Sequence, residues 1–249
     1  MIIDITDKCT MQCIHCLQNC KPSNNSMMNE QTLINILENS LFVSSKAVLV
    51  SGGEPTEHPE FFEIMNKILK YSCDKTVSIL SNGLWANSQK MVNKMTYLAD
   101  KPNVGIQVTN DKAFYPVDVK RVPHSSIYYE EKLRILDYLG RGKNLSINDY
   151  PHVRRRVGPM CFNMRSILHR NNVGSIVTAV RMLEIMGKFC TVMFMSNGDL
   201  SLSECGRFIV GNVNDENLLD KAYYFAKANI TPCDECDTYN VMGKQYKIF

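Results

Sequence analysis

Four short apolar runs lie within the first 110 residues, each followed by a polar loop and separated from the next by helical periodicity. Residues 2–5, 47–50, 77–80 and 104–108 read as strands, being short, rich in Ile and Val, and bounded by turn-forming residues. Between them, residues 32–42 set Leu33, Ile36, Leu37 and Leu41 on one helical face. Residues 61–69 do the same with Phe61, Ile64, Met65, Ile68 and Leu69, and residues 91–98 form a third helical stretch. Strand alternating with helix is the pattern of a parallel sheet, and such sheets place their sites at the carboxyl ends of the strands. Four loops follow the four strands: a cysteine-bearing segment, Gly52-Gly53-Glu54-Pro55, Ser81-Asn82-Gly83 and Thr109-Asn110-Asp111. They are expected on one face.

Beyond Asn110 the rhythm weakens. A fifth strand is expected at 117–122 or 126–129 and a helix at 131–139, with 141–144 as a loop. The basic stretch from His152 to Arg156 ends at Gly158-Pro159, which reads as a domain boundary. A helix is expected at 176–186, a hairpin around Ser196-Asn197-Gly198-Asp199, and a last helix at 216–228.

The bulk composition excludes some classes. Hydrophobic residues at 45% of 249 are enough for a buried core, and a net charge of +3 gives no indication of a nucleic-acid partner. No apolar run is long enough for a membrane span, and no secretory signal opens the chain, so a cytoplasmic protein is expected. Ten cysteines in such a chain point to metal ligands rather than disulfides.

Cys9-Thr-Met-Gln-Cys13-Ile-His-Cys16 puts three thiols in one loop after the first strand. Iron–sulfur clusters are normally held by four thiolates, so three leave one iron open to a ligand. Zinc is the alternative, with His15 or Cys20 as fourth ligand. The spacing resembles the CxxxCxφC signature of the radical S-adenosylmethionine (SAM) superfamily, with His15 at the usually aromatic position. Ser51-Gly52-Gly53-Glu54-Pro55 strengthens the resemblance, because a similar GGEP motif follows the second strand in that family and binds the SAM amino group. The glycine pair is expected to let backbone carbonyls approach a ligand, and Glu54 to receive an ammonium.

The resemblance implies that Cys9, Cys13 and Cys16 hold a [4Fe–4S] cluster whose open iron binds SAM. Reductive cleavage of SAM would then give a 5′-deoxyadenosyl radical that takes hydrogen from a substrate. It also implies cofactor contacts from Gly52, Gly53, Glu54, Ser81, Asn82, Gln107 and Thr109, and an electron donor such as flavodoxin or ferredoxin. The fold implied is α/β: a partial (β/α)5-6 TIM-like barrel over residues 1–157. A connecting helix and a small C-terminal β-hairpin plus helix carrying an auxiliary cluster would occupy 158–249.

That last part resembles the twitch module, a shortened SPASM domain. Its pattern is met by Cys190, Gly198, Cys205, Gly211-Asn212 and the pair Cys233 and Cys236. The resemblance implies one auxiliary [4Fe–4S] cluster on Cys190, Cys205, Cys233 and Cys236, with Cys161 as an alternative to Cys190. Zinc remains open for these four thiols.

The first expectation for the substrate is a peptide or protein residue that is oxidised, cross-linked or epimerised. The second is a small molecule, nucleotide or modified base that is dehydrogenated or rearranged, as in 2-deoxy-scyllo-inosamine dehydrogenase. Because the chain begins at strand one, no leader-peptide-binding domain is expected ahead of the core, which weakens the first reading without removing it. A non-catalytic metal-binding module is the third reading.

Overall fold

The structure, a computed structural model, describes residues 1–12, 16, 18–109, 145–148, 192–203, 206 and 208–228. Its strands are β1 (Ile2–Asp4), β2 (Ala47–Ser51), β3 (Thr76–Ser81), β4 (Val104–Thr109), β5 (Leu145–Asn148), β6 (Met193–Phe194), β7 (Asp199–Ser201) and β8 (Ile209–Asn212). They form one sheet in the order β5-β4-β3-β2-β1-β6-β7-β8. Every neighbour from β5 to β6 is parallel, while β6, β7 and β8 run antiparallel. This is the expected α/β core, with the expected C-terminal hairpin.

The helices are α1 (Glu30–Glu38), α2 (Ser40–Ser44), α3 (Phe61–Lys70), α4 (Gln89–Ala99) and α5 (Leu218–Ala228). The first four connect successive parallel strands, as parallel pairing requires. The apolar stripe of α1 buries Leu33, Ile36 and Leu37, and that of α3 buries Phe61, Ile64, Met65 and Ile68. These pack with Ile3, Ile5, Val50, Ile79 and Phe194 in one core. Fully burying each such side chain contributes about 1.5–3 kcal/mol, and that core fixes where the strand ends lie.

One expectation needs correction, and one strand was not anticipated. The helix expected over 32–42 is broken at Asn39, whose N–H closes α1 on the Ile36 carbonyl while its side chain accepts the Leu41 N–H and starts α2. An Asn side chain competes with the helical hydrogen-bond ladder in this way. The strand beside β4 is Leu145–Asn148, a segment the sequence pattern does not single out, and this pairing does not bear on the strand expected at 117–122 or 126–129. Both of those segments lie outside the described residues, as do the expected helices at 131–139 and 176–186, the stretch from His152 to Arg156, and the boundary at 157.

The hairpin is part of the main sheet. Met193 and Phe194 pair with Ile2 and Ile3, so the C-terminal segment covers the free edge of β1. Side chains add to that seam: Ser26 Oγ meets Ser196 Oγ at 2.6 Å, and Asn35 Nδ2 donates to Asn214 Oδ1 at 2.6 Å.

Candidate active site

The cysteine loop leaves the carboxyl end of β1 and returns to pair with its own start. Thr6 bridges Met27, Lys8 bridges Lys21, and the Cys9 N–H donates to the Lys21 carbonyl at 3.3 Å. The segment from Cys9 to Cys20 is therefore pinched shut at its base. Within it Cys9 and Cys20 are buried against Met11, and Cys16 is half-buried beside them. Backbone donors already address two sulfurs: Met11 N–H to Cys9 Sγ at 3.3 Å, and Cys20 N–H to Cys16 Sγ at 3.2 Å. Such donors stabilise thiolate charge. Cys13 lies outside the described residues. The fourth thiol, Cys20, has its pKa pushed far up by its contact with Cys16 and by burial, which keeps it protonated.

The glycine pair explains how the loop is held. Gly53 N–H donates to the Thr6 carbonyl at 2.7 Å and Glu54 N–H to the Lys8 carbonyl at 2.8 Å, extending the β1–β2 pairing into the site. A Cβ at Gly52 would stand 2.2 Å from the Thr6 carbonyl oxygen, and one at Gly53 would stand 2.1 Å from that of Lys8. Gly52 also sits at φ +139°, which favours glycine. In this structure the missing side chains admit the backbone that leads into Cys9.

Glu54 is buried, and its carboxylate joins two strand ends. Oε1 accepts from Thr56 N–H at 3.3 Å, Thr56 Oγ at 2.7 Å and Ser81 Oγ at 2.9 Å, while Oε2 accepts the Asn82 N–H at 2.7 Å. Burial raises its pKa, and these hydrogen bonds oppose the rise. Ser81 Oγ in turn accepts from Gly83 N–H and from Trp85 Nε1 at 3.0 Å. Asn82 reaches the cysteine loop: Nδ2 donates to Thr10 Oγ at 3.0 Å and lies 4.0 Å from Cys9 Sγ. Gln107 stands in register with Leu80, and Thr109 ends β4 in register with Asn148.

Asp4 was not singled out from the sequence. It is buried at the end of β1, with Oδ2 accepting from Gln18 Nε2, and among the described residues Oδ1 has no hydrogen-bond partner. Desolvation lifts its pKa to about 7, against the Gln18 hydrogen bond, with the Cys16 charge adding to the rise. Gln18 Nε2 also reaches Met193 Sδ at 3.3 Å, tying the loop to β6. A carboxylate inside the run Ile2-Ile3-Asp4-Ile5 was the available signal. Cys190, Cys205, Cys233 and Cys236 lie outside the described residues.

The turns after β2 and β3 thus meet at a cysteine loop in which the sulfurs of Cys9 and Cys16 receive N–H groups. That donor set suits an iron–sulfur cluster with a small polar ligand beside it. The model of the radical SAM superfamily matches residues 3–146, and the chain belongs to that superfamily. It is a radical SAM enzyme, and membership implies a [4Fe–4S] cluster and SAM.

Among curated relatives, a probable GTP 3′,8-cyclase of Methanocaldococcus jannaschii is 30% identical over 125 residues, covering 48% of this chain and 41% of the relative. The match therefore spans less than half the length of that protein. Among solved structures, anSMEcpe with bound AdoMet and the Cp18Cys peptide superposes with a TM-score of 0.56 at 13% identity, covering 96% of this chain and 86% of the other. BtrN in complex with AdoMet and 2-DOIA gives 0.52 at 14% identity, covering 91% and 84%. At these identities the likeness is one of fold. Among the described residues no helix is long and apolar enough to cross a membrane.

Proposed function

We propose that Cys9, Cys13 and Cys16 hold the [4Fe–4S] cluster, that SAM binds between it and the ends of β2, β3 and β4, and that a peptide or protein residue is the hydrogen donor. When bound, the cluster and SAM together supply one-electron cleavage that yields a 5′-deoxyadenosyl radical. The chain's own residues position and shield that chemistry. The observation that carries the reading is the docking of the backbone leading into Cys9 onto Gly53 and Glu54, through N–H bonds to the Thr6 and Lys8 carbonyls. A carboxylate offers about four lone-pair sites. Among the described residues, Oε1 of Glu54 takes three donors and Oε2 one. Oε2 is thus the atom with capacity to receive the SAM ammonium, while Ser81, Asn82, Gln107 and Thr109 frame the remaining polar groups.

Cys190, Cys205, Cys233 and Cys236 hold the auxiliary [4Fe–4S] cluster, which exchanges an electron with substrate or product, and a flavodoxin or ferredoxin supplies the reducing electron. The peptide reading is supported by the near whole-chain likeness to a structure with a bound peptide. The likeness to the GTP 3′,8-cyclase, higher in identity though over half the chain, favours a nucleotide or other small molecule as the second reading. The test is anaerobic: reconstituted protein, SAM and dithionite should form 5′-deoxyadenosine. Deuterium should enter that product from a uniformly deuterated peptide and not from deuterated GTP or an amino-sugar alcohol. Label arriving only from the small molecules would replace the peptide reading with the second.

A further inference from the structure

The side-chain amide of Asn82 is fixed more firmly than a cofactor contact at a strand end requires. Its backbone N–H is held by Glu54 Oε2, and its Oδ1 accepts the Leu84 N–H at 2.9 Å. That second bond settles which way the amide faces: with oxygen toward Leu84, Nδ2 must turn to the cysteine loop. One amide hydrogen goes to Thr10 Oγ at 3.0 Å, and the same nitrogen stands 4.0 Å from Cys9 Sγ. Asn82 and Cys9 are both buried, where a dipole acts on a nearby charge with little screening by water. Thr10 follows Cys9 directly, so one side chain braces the loop and presents N–H to its first sulfur.

We infer that Asn82 is a positioning residue that sets the reduction potential of the cluster held by Cys9, by directing its amide N–H at that sulfur. The inference rests on the cluster assignment proposed above. Adding an electron makes the cluster more negative, and hydrogen bonds to its sulfurs favour that state, so they raise the potential. Removing the amide destabilises the reduced form. SAM cleavage with a weak electron donor then falls by a larger factor than cleavage with a strong reductant.

The experiment is a redox titration followed by electron paramagnetic resonance on the reconstituted full chain. The signal component whose g-values move on adding SAM identifies the loop cluster and separates it from any other. Asn82→Leu should shift that component to a more negative potential. Asn82→Asp should shift it further, because an anionic oxygen replaces the donor. Thr10→Val releases the amide toward Cys9 and should shift the potential upward. It also decides the matter if neither Asn82 variant retains the cluster, since no change or a fall in Thr10→Val would then overturn the role. Full iron content with an unmoved potential in both Asn82 variants overturns it directly. A wild-type protein without any Cys9-dependent, SAM-responsive signal would instead sink the cluster assignment and the inference together.

Discussion

Glu54 Oε2 accepts the backbone N–H of Asn82 at 2.7 Å, so the turn after β2 grips the end of β3 through a buried carboxylate. Removing that acceptor takes a charged hydrogen-bond partner from a buried N–H, which costs about 1–3 kcal/mol. Glu54→Ala should therefore lower the stability of the cluster-free protein by at least that order in chemical denaturation. It should also weaken SAM binding by tenfold or more, read by calorimetry on reconstituted protein. Glu54→Gln keeps the shape and one acceptor oxygen, and should recover part of the stability without recovering SAM affinity. Recovery of both would show that the negative charge is not what SAM meets.

Gly53 and Gly105 offer a matched comparison. A Cβ at Gly53 meets the Lys8 carbonyl at 2.1 Å, whereas one at Gly105 meets only Ser78 Oγ at 3.7 Å. Backbone cannot yield as a flexible side-chain end can. Gly53→Ala should cost about 1–3 kcal/mol or more and prevent the cysteine loop from docking, seen as iron uptake falling well below wild type. Gly105→Ala in β4 should stay within about 1 kcal/mol of wild type, since a strand interior favours a side chain over none. Equal iron uptake in the two variants would contradict the docking role of the glycine pair.

What could be read from the sequence was what local pattern encodes. The four parallel strands and the helices α1, α3 and α4 follow from periods of 2 and 3.6 residues. The grouping of Cys9, Gly53, Ser81 and Asn82 at one end follows from strand polarity. Pairing of Met193 with Ile2 joins segments more than 190 residues apart and leaves no local trace. The strand Leu145–Asn148 is too short for its alternation to stand out beside a charged loop. The roles of the site residues were the least legible part. Gly52 and Gly53 pointed to a close approach, but not to Thr6 and Lys8 as its partners. Ser81 and Asn82 pointed to cofactor contacts, but not to Glu54 and Thr10 as their partners.

The buried Asp4 gives a pH signature with a definite sign. In the unfolded chain it ionises near 3.8, whereas in the native protein its pKa is about 7. Between those values the native state binds more protons than the unfolded one, so its contribution makes stability fall as pH rises. The effect is absent below the lower value and complete above the upper one. Its ceiling is on the order of 4 kcal/mol, at about 1.4 kcal/mol for each tenfold change in proton affinity. Asp4→Asn should remove this slope. In urea denaturation of reduced, cluster-free protein, the variant should match wild type near pH 4 and exceed it at pH 8. A difference that stays constant from pH 4 to 8 would mean that Asp4 does not titrate across that range.

The two cysteine sets should separate by what their loss abolishes. Cys13 belongs to the loop that begins at the pinched Lys8–Lys21 base, where the sulfurs of Cys9 and Cys16 receive backbone N–H groups. An iron–sulfur cluster holding SAM needs all three thiolates, so Cys13→Ala should eliminate 5′-deoxyadenosine formation with dithionite, whatever the substrate. Cys236 lies in a different part of the chain, and an auxiliary cluster is not required to split SAM. Cys236→Ala should therefore keep 5′-deoxyadenosine formation within severalfold of wild type while losing four irons per chain and the coupled conversion of substrate. If Cys236→Ala instead lost SAM cleavage with its loop cluster intact, the auxiliary site would have to act before the radical forms. If it kept full iron and full turnover, Cys236 would not be a cluster ligand.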